Sequence, residues 1–258
     1  MKRSVEGRPR KSRMPARLDV LQSLSGLLLA VFMWLHLILV ASILLGKDAM
    51  WAVTEFIELS FLNPDGTGGY PIVPWLIAVG VSVLFVSHAA LAMRKFPSTW
   101  KQYQTYRSHM RMLHHSDTTL WYVQALTGFI MFFLGSVHLY VMLTNPDNIG
   151  PYASADRFVS QWMAPLFLVL LFAVELHATI GMYRLAVKWG FFGGPDPHAR
   201  RRQFQRVKSV LSVVFLTLGI LSWIAYVKIG IEHRPHAGER YAASSAAGQM
   251  AAEGERLP

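Results

Sequence analysis

Apolar residues in this chain come in long unbroken runs, not in the period of two of a half-buried strand or the one-sided stripe of a soluble helix. Five runs, near 21–46, 72–93, 119–144, 160–187 and 207–230, are each long enough to cross a hydrocarbon core of about 30 Å, which takes roughly 20 helical residues. The pattern predicts an all-α fold: an integral membrane bundle of five transmembrane helices, with 1–258 as one membrane domain. The first run, "LLLAVFMWLHLILVASILL", is too long for a cleaved signal peptide and lacks a small-residue cleavage pattern, so it is read as the first span. The connections between spans are expected to be short on one side and basic on the other.

Composition agrees with a bilayer as solvent. Hydrophobic residues make up 53% of the chain and charged residues only 16%, well below an ordinary soluble domain. The 25 Lys and Arg against 15 Asp and Glu would suggest nucleic acid in a soluble chain, but here their distribution decides otherwise. Segments 1–20, 94–117 and 184–208 hold nineteen of the Lys/Arg, and the alternate segments hold six. That asymmetry is the positive-inside pattern. It predicts a multi-pass protein of a bacterial cytoplasmic (inner) membrane, with the basic arm 1–20 and the N-terminus cytoplasmic and the C-terminus outside. Residues from about 232 to 258 are rich in small residues and are expected to be a disordered tail.

The chain has no cysteine, which excludes disulfides, thiolate-bound iron–sulfur clusters and covalently attached haem. Histidine is the remaining candidate ligand. Six histidines, His109, His114, His115, His198, His233 and His236, lie in polar segments and read as solvated or phosphate-facing side chains. The other four, His36, His88, His138 and His177, lie one in each of the first four spans. One such histidine could be a structural hydrogen bond between helices, but polar groups in hydrocarbon are costly and rarely kept without a task.

Depth sorts them. His36 precedes the outer end of the first span by ten residues and His138 precedes Asn145 by seven, so both belong to the outer half. His88 lies six residues before Arg94 and His177 seven before Arg184, nearer the cytoplasm. Two pairs at two depths, His36 with His138 and His88 with His177, fit two haems b with two histidines on each iron. A zinc or di-iron site would gather its ligands, carboxylates among them, at one depth. Two histidines per iron leave no open position for oxygen chemistry, so the arrangement points to electron transfer.

Around these residues, Gly26, Gly128, Gly135 and Gly181 could admit a porphyrin or serve ordinary helix packing. Gln22, Ser23, Trp121 and Lys188 cluster at the cytoplasmic rim, where they could bind the propionates of the inner haem. For Trp121 and Lys188 the alternative is interfacial anchoring and snorkelling.

The stretches "KSRMPARLDVLQSLSG", "AALAMRKFP", "HSDTTLWYVQALTGFIMFFLGSVHLYVM" and "LVLLFAVELHATIGMYRLAVKWG" resemble the dihaem cytochrome b anchor subunit of quinol:fumarate reductases and related succinate:quinone oxidoreductases with a single large anchor polypeptide. The resemblance runs from about residue 11 to 231. It implies a subunit that oxidises a menaquinone-type quinol and passes electrons to a cytoplasmic iron–sulfur subunit, which feeds an FAD-bearing flavoprotein where fumarate is reduced. It also implies His36 and His138 at the outer haem, His88 and His177 at the inner haem, and possible dimerisation of the whole complex.

By the same resemblance Glu58 in "WAVTEFIELSF" stands at the quinol oxidation site, favoured over Glu55 by its spacing to "LSF". A partly buried carboxylate there could accept a quinol proton, and the alternative is a solvated helix-end carboxylate. Glu175 matches a glutamate implicated in transmembrane proton transfer. It is two residues from His177, so it points to nearly the opposite side of its helix and needs its own environment. The loop "LNPDGTGGYP" looks longer than the family form. Segments 94–117 and 188–206, with the N-terminal arm, are the expected docking face for the iron–sulfur subunit, with anionic lipid as the rival reading of their charge.

Other functions remain open on the residues alone: the cytochrome b subunit of a menaquinone-reducing succinate dehydrogenase or of a hydrogenase or formate dehydrogenase, or a haem-free transporter. No segment could bind flavin or form a dicarboxylate site, so fumarate reduction itself would belong to another subunit.

Overall fold

The structure is a computed structural model that describes residues 12–63, 68–113, 116–191 and 196–243. Most of the basic arm, part of the "LNPDGTGGYP" loop, His114, His115 and the tail from 244 lie outside the described residues. Helices account for nearly all of what is described. They are α1 (Met14–Val40), α2 (Lys47–Ile57), α3 (Ile72–Met93), α4 (Trp100–Leu113), α5 (Ser116–Thr144), α6 (Pro151–Val159), α7 (Ala164–Lys188) and α8 (Pro197–His233).

Five of them, α1, α3, α5, α7 and α8, are long and apolar enough to span a membrane, as the hydrophobic runs predict. At about 1.5 Å per residue even α3, with 22 residues, reaches about 33 Å. Each long helix begins or ends where its chemistry requires. Pro15, Pro165 and Pro197 occupy first-turn positions, where a missing N–H costs nothing. The Asp196 carboxylate caps α8 by accepting from the Ala199 N–H at 2.8 Å. With 37 residues α8 exceeds any hydrocarbon core, and its first turns, "PHARRRQFQR", project the basic charge beyond the bundle.

The three shorter helices sit at the two ends of the bundle. Polar α4 lies at the end that carries the N-terminus of α1, here the basic end. Helices α2 and α6 lie at the opposite, far end, where short connections alone are expected. Sharp turns launch both, at Gly46 (φ 118°) and Gly150 (φ 133°), a backbone region that side chains resist.

Packing runs as a chain of neighbours: α1 against α3, α3 against α5, α5 against α7 and α7 against α8, with α1 returning onto α7 and α8. Helix α7 is the hub, burying Leu171, Ala173, Glu175, Ala178, Thr179, Ile180, Tyr183 and Ala186. Small residues on its inner face let neighbouring backbones come close, which is how apolar helices associate when lipid is as apolar as they are. Large apolar side chains such as Leu21, Leu28, Leu35, Val83 and Phe133 remain on the outside. In a membrane protein that is the lipid-facing surface.

At the far end Ile43, Met50, Ala155 and Tyr226 form a buried cluster that joins α2, α6 and α8 to the end of α1. Within it the Tyr226 hydroxyl donates to the Val40 carbonyl at 3.2 Å. Two sequence expectations change here. His233, expected to be solvated, is buried, with its Nδ1 3.0 Å from Asp156 Oδ1 and its ring stacked on Tyr152 at 3.9 Å. Residues just beyond it, expected to be disordered, are tied down: the Gly238 N–H donates to Asp156 Oδ2 at 2.8 Å and the Tyr241 hydroxyl to Asp48 at 2.6 Å. Composition suggested disorder because small residues bury little, but here polar contacts hold the segment.

Replacing Asp156 with Ala removes the acceptor of both His233 and the Gly238 N–H. The expected cost is about 1–3 kcal/mol of local stability for buried donors left unpaired. Limited proteolysis should then cut the segment after α8 faster than in the unmodified protein.

Candidate functional site: two histidine pairs inside the bundle

The four intramembrane histidines come together as two pairs, each joining two helices. His36 on α1 faces His138 on α5 with ring centres 6.1 Å apart and planes at 72°. His88 on α3 faces His177 on α7 at 6.4 Å and 86°. These separations are too long for a direct hydrogen bond between the rings. They match one metal held between two imidazoles, for which two bonds of about 2.0 Å, plus about 1.1 Å from each ring centre to its nitrogen, give about 6.2 Å.

Hydrogen bonds orient the second pair. His177 Nδ1 donates to the Gln124 carbonyl at 2.9 Å. His88 Nδ1 lies 3.0 Å from Ser25 Oγ, whose own proton goes to the Gln22 carbonyl at 3.1 Å, so the ring nitrogen is the donor. Both rings thus carry their proton on Nδ1 and leave the Nε2 lone pair for a metal, the arrangement expected behind a ligating histidine. At the first pair His138 Nδ1 is buried with no protein partner among the described residues.

Two glycines make room. A Cβ on Gly26 would lie 2.8 Å from His88 Cε1, and one on Gly128 would lie 3.0 Å from His177 Cε1, so any side chain there would push the ring away. These contacts also measure the depth difference. His36 is ten residues beyond Gly26 on α1, and His138 is ten beyond Gly128 on α5. Both intervals correspond to about 15 Å along the helix axis.

The His88/His177 pair lines a cavity of about 890 Å³, toward the upper end of the range for small-molecule and cofactor sites. Gln22, Ser23, Trp121 and Lys188 all line it as well. Its basic mouth is held by Asp19, which pairs with Arg94 at 2.6 Å and Lys95 at 3.0 Å and lies 4.0 Å from Lys188. Lys188 also donates to Ser23 Oγ at 3.0 Å. One carboxylate among three cations leaves positive charge for an anionic ligand such as a propionate. The cavity fits a haem in volume, donor set and charge.

Sequence reasoning missed several lining residues. Arg184, whose Nη1 donates to Gln124 Oε1 at 2.5 Å, and Lys95 were not read there as lining a site. Tyr106 and His109 reach the cavity because α4 folds across its mouth, a placement that no local pattern predicts. At the other pair the missed residue is Arg157. It is buried, within electrostatic reach of His138, and donates to the Asn148 carbonyl.

Glu175 is fully buried on the other side of α7 from His177. Its Oε2 accepts from Trp34 Nε1 of α1 at 3.2 Å, and its Oε1 has no protein partner among the described residues. A hydroxyl chain runs beside it: Thr179 donates to the Glu175 carbonyl at 2.8 Å, and Ser212 of α8 donates to Thr179 at 2.9 Å. His177 therefore faces α3 and α5, whereas Glu175 faces α1 and α8.

Glu58 lies apart from both, at the C-terminal end of α2 beyond the far end of the spans. The turn that follows, with Leu59 left-handed, folds Gly69 onto it, and the Tyr70 N–H donates to the Glu58 carbonyl at 2.7 Å. Burial pushes the Glu58 carboxyl up. Arg240 opposes that shift, while Glu55 and Asp147 add to it.

Known proteins resemble this chain over most of its length. The family model described as the succinate dehydrogenase/fumarate reductase transmembrane subunit matches residues 100–220. The fumarate reductase cytochrome b subunit of Wolinella succinogenes is 52% identical over 223 residues, which cover 86% of each chain. That of Helicobacter pylori strain 26695 is 47% identical over 226 residues, 87% of this chain and 86% of its own. Identity at that level over most of the chain shows that it belongs to the cytochrome b membrane anchor subunits of fumarate reductase.

Proposed function

We propose that this chain carries two haems b, oxidises menaquinol near the outer face of a bacterial cytoplasmic membrane, and delivers the electrons inward to an iron–sulfur subunit that feeds an FAD-bearing flavoprotein. The observation that supports this most is the pair of facing histidine couples about 15 Å apart in depth. The basic end is cytoplasmic on this reading, following the positive-inside pattern. It offers α4, the start of α8 and the basic arm as the docking face for the iron–sulfur subunit, in a complex that dimerises.

Haem b, implied by the name of the relatives, would supply one-electron transfer. His36 and His138 would hold the outer group, and His88 and His177 the inner one. Gln22, Ser23, Trp121 and Lys188 would neutralise or hydrogen-bond the inner propionates, with Arg184 and Lys95 adding to the same field. Arg157 places a buried cation beside the outer pair. Each quinol becomes a quinone by giving up two electrons and two protons. Glu58, partly buried at the outer end of α2, accepts a proton as an electron leaves.

Electrons moving inward work against a membrane potential that is negative inside, at about 2.3 kcal/mol per charge per 100 mV. A proton moving inward with each electron cancels that charge. Glu175 is suited to carry it: it is buried midway along α7, has a carboxyl oxygen without a protein partner, and lies beside the Thr179–Ser212 hydroxyls, away from the ligating face.

Glu175→Gln should keep both haems, seen in the reduced-minus-oxidised spectrum of the purified complex, while quinol oxidation by fumarate falls about a hundredfold. An unmodified rate with both haems bound would sink the proton-carrier role. Gly128→Val should displace the His177 ring and lower the haem content toward one per chain, as should His177→Ala. Full haem content in both variants would refute the inner ligand assignment. For Glu58, ionisation is the active form and burial raises its pKa, so the acid limb of quinol oxidation should lie above the ordinary carboxylate range and activity should be lost in Glu58→Gln.

A further inference from the structure

Arg184 stands apart from the other cations of the inner cavity. Arg94, Lys95 and Lys188 at the mouth share the Asp19 carboxylate. Arg184 lines the same cavity, but among the described residues no carboxylate lies within ion-pair distance of it. Its Nη1 donates to a neutral acceptor, Gln124 Oε1 of α5, at 2.5 Å. Gln124 makes two further contacts with α7. Its backbone carbonyl accepts from His177 Nδ1 at 2.9 Å, and its side-chain amide lies against Gly181, where a Cβ would come within 2.9 Å of Nε2. His177, Gly181 and Arg184 follow one another at intervals of four and three residues, so they share one face of α7 over about 10 Å of its axis. One α5 residue thus spans two turns of α7, from a ring of the histidine pair to an unpaired cation.

We infer that Gln124 is a positioning residue that keeps the Arg184 guanidinium in the inner cavity with its charge unneutralised, and that Gly181 is the notch that admits the Gln124 amide. The inference rests on the reading of His88 and His177 as the ligands of the inner haem.

An amide oxygen suits this task because it orients a guanidinium without cancelling its charge. A carboxylate would bond more strongly but leave a neutral pair. Without an acceptor, the long and flexible Arg184 side chain is free to turn its head group to water at the mouth, one turn further along α7 near Lys188. A fixed, unpaired cation in a partly desolvated cavity favours the redox state of a bound group that carries more electrons. Arg184 therefore makes the inner group easier to reduce, and Gln124 sets how much of that field stays in the cavity. Gly181, which from the sequence could serve a porphyrin or ordinary packing, acquires a specific partner in Gln124.

The test is a potentiometric titration of haem absorbance in the assembled membrane complex. The component lost in His177→Ala identifies the inner group. Gln124→Met keeps the side-chain length and the backbone carbonyl that accepts from His177, and removes the acceptor of Arg184. Haem content should stay full, while the inner component becomes harder to reduce by about tenfold in its redox equilibrium, about 59 mV for a one-electron couple. Arg184→Met should give at least that shift, and the double variant no more than Arg184→Met alone. Gly181→Ala, whose methyl displaces only the end of a flexible side chain, should move the same component in the same direction with full haem content. An inner component that titrates unchanged in Gln124→Met overturns the inference, as does a double variant in which the two shifts add. Loss of haem in Gln124→Met also overturns it, because the carbonyl that orients His177 is still present there. His177→Ala separates the two levels. If that variant loses one haem while Gln124→Met leaves the titration unmoved, only the present inference fails; if it keeps both haems, the reading of the inner ligands itself fails.

Discussion

Hydrocarbon offers no hydrogen bonds, so each polar group within the spans must find its partner inside the protein. Most do so locally. The hydroxyls of Ser82, Thr127, Ser136 and Ser222 bond back to carbonyls of their own helices, which lets them sit in apolar surroundings at little cost. The four histidines and Glu175 have side chains that reach beyond their own helices. They face the interior, and the helices are arranged around them.

Helix α7 shows how closely two such demands can be set together. His177 and Glu175 are two positions apart, about 200° around the helix, so they look into different interhelical spaces. One space is bounded by α3 and α5 and is widened by Gly26 and Gly128; the other is bounded by α1 and α8 and lined by Trp34, Thr179 and Ser212. The two side chains are thus separated by the helix backbone itself. On the proposed function, that separation lets two charges of opposite sign travel the same direction without sharing a site.

The two ends of the bundle use different physics. The basic end gathers Arg94, Lys95 and Lys188 around a single Asp19, a surplus of charge that water and anionic ligands tolerate. The far end is closed by packing. Tyr226, Met50 and Ala155 fill its core, and the stacked Tyr152 and His233 rings carry the chain end across α2 and α6. A carboxylate placed there, as Glu58 is, experiences partial burial and a few fixed charges in place of bulk water.

Much of this was legible without coordinates, because a bilayer imposes a strong pattern. About 20 apolar residues are needed to cross it, so the five spans stand out. A histidine within such a run is costly enough to imply a task, and 3.6-residue geometry turns sequence distance into depth, so the two pairs could be sorted by counting. The opposed directions of Glu175 and His177 followed from the same geometry. What only the tertiary structure decided were contacts between segments distant in sequence. These include α4 closing the cavity with Tyr106 and His109, Arg157 buried beside His138, His233 buried against Asp156, and the segment after α8 that reaches Asp48 through Tyr241. The physical reason is that periodicity and hydropathy report each residue's exposure relative to its own helix, whereas these side chains owe their surroundings to helices and connections that dock from elsewhere in the chain.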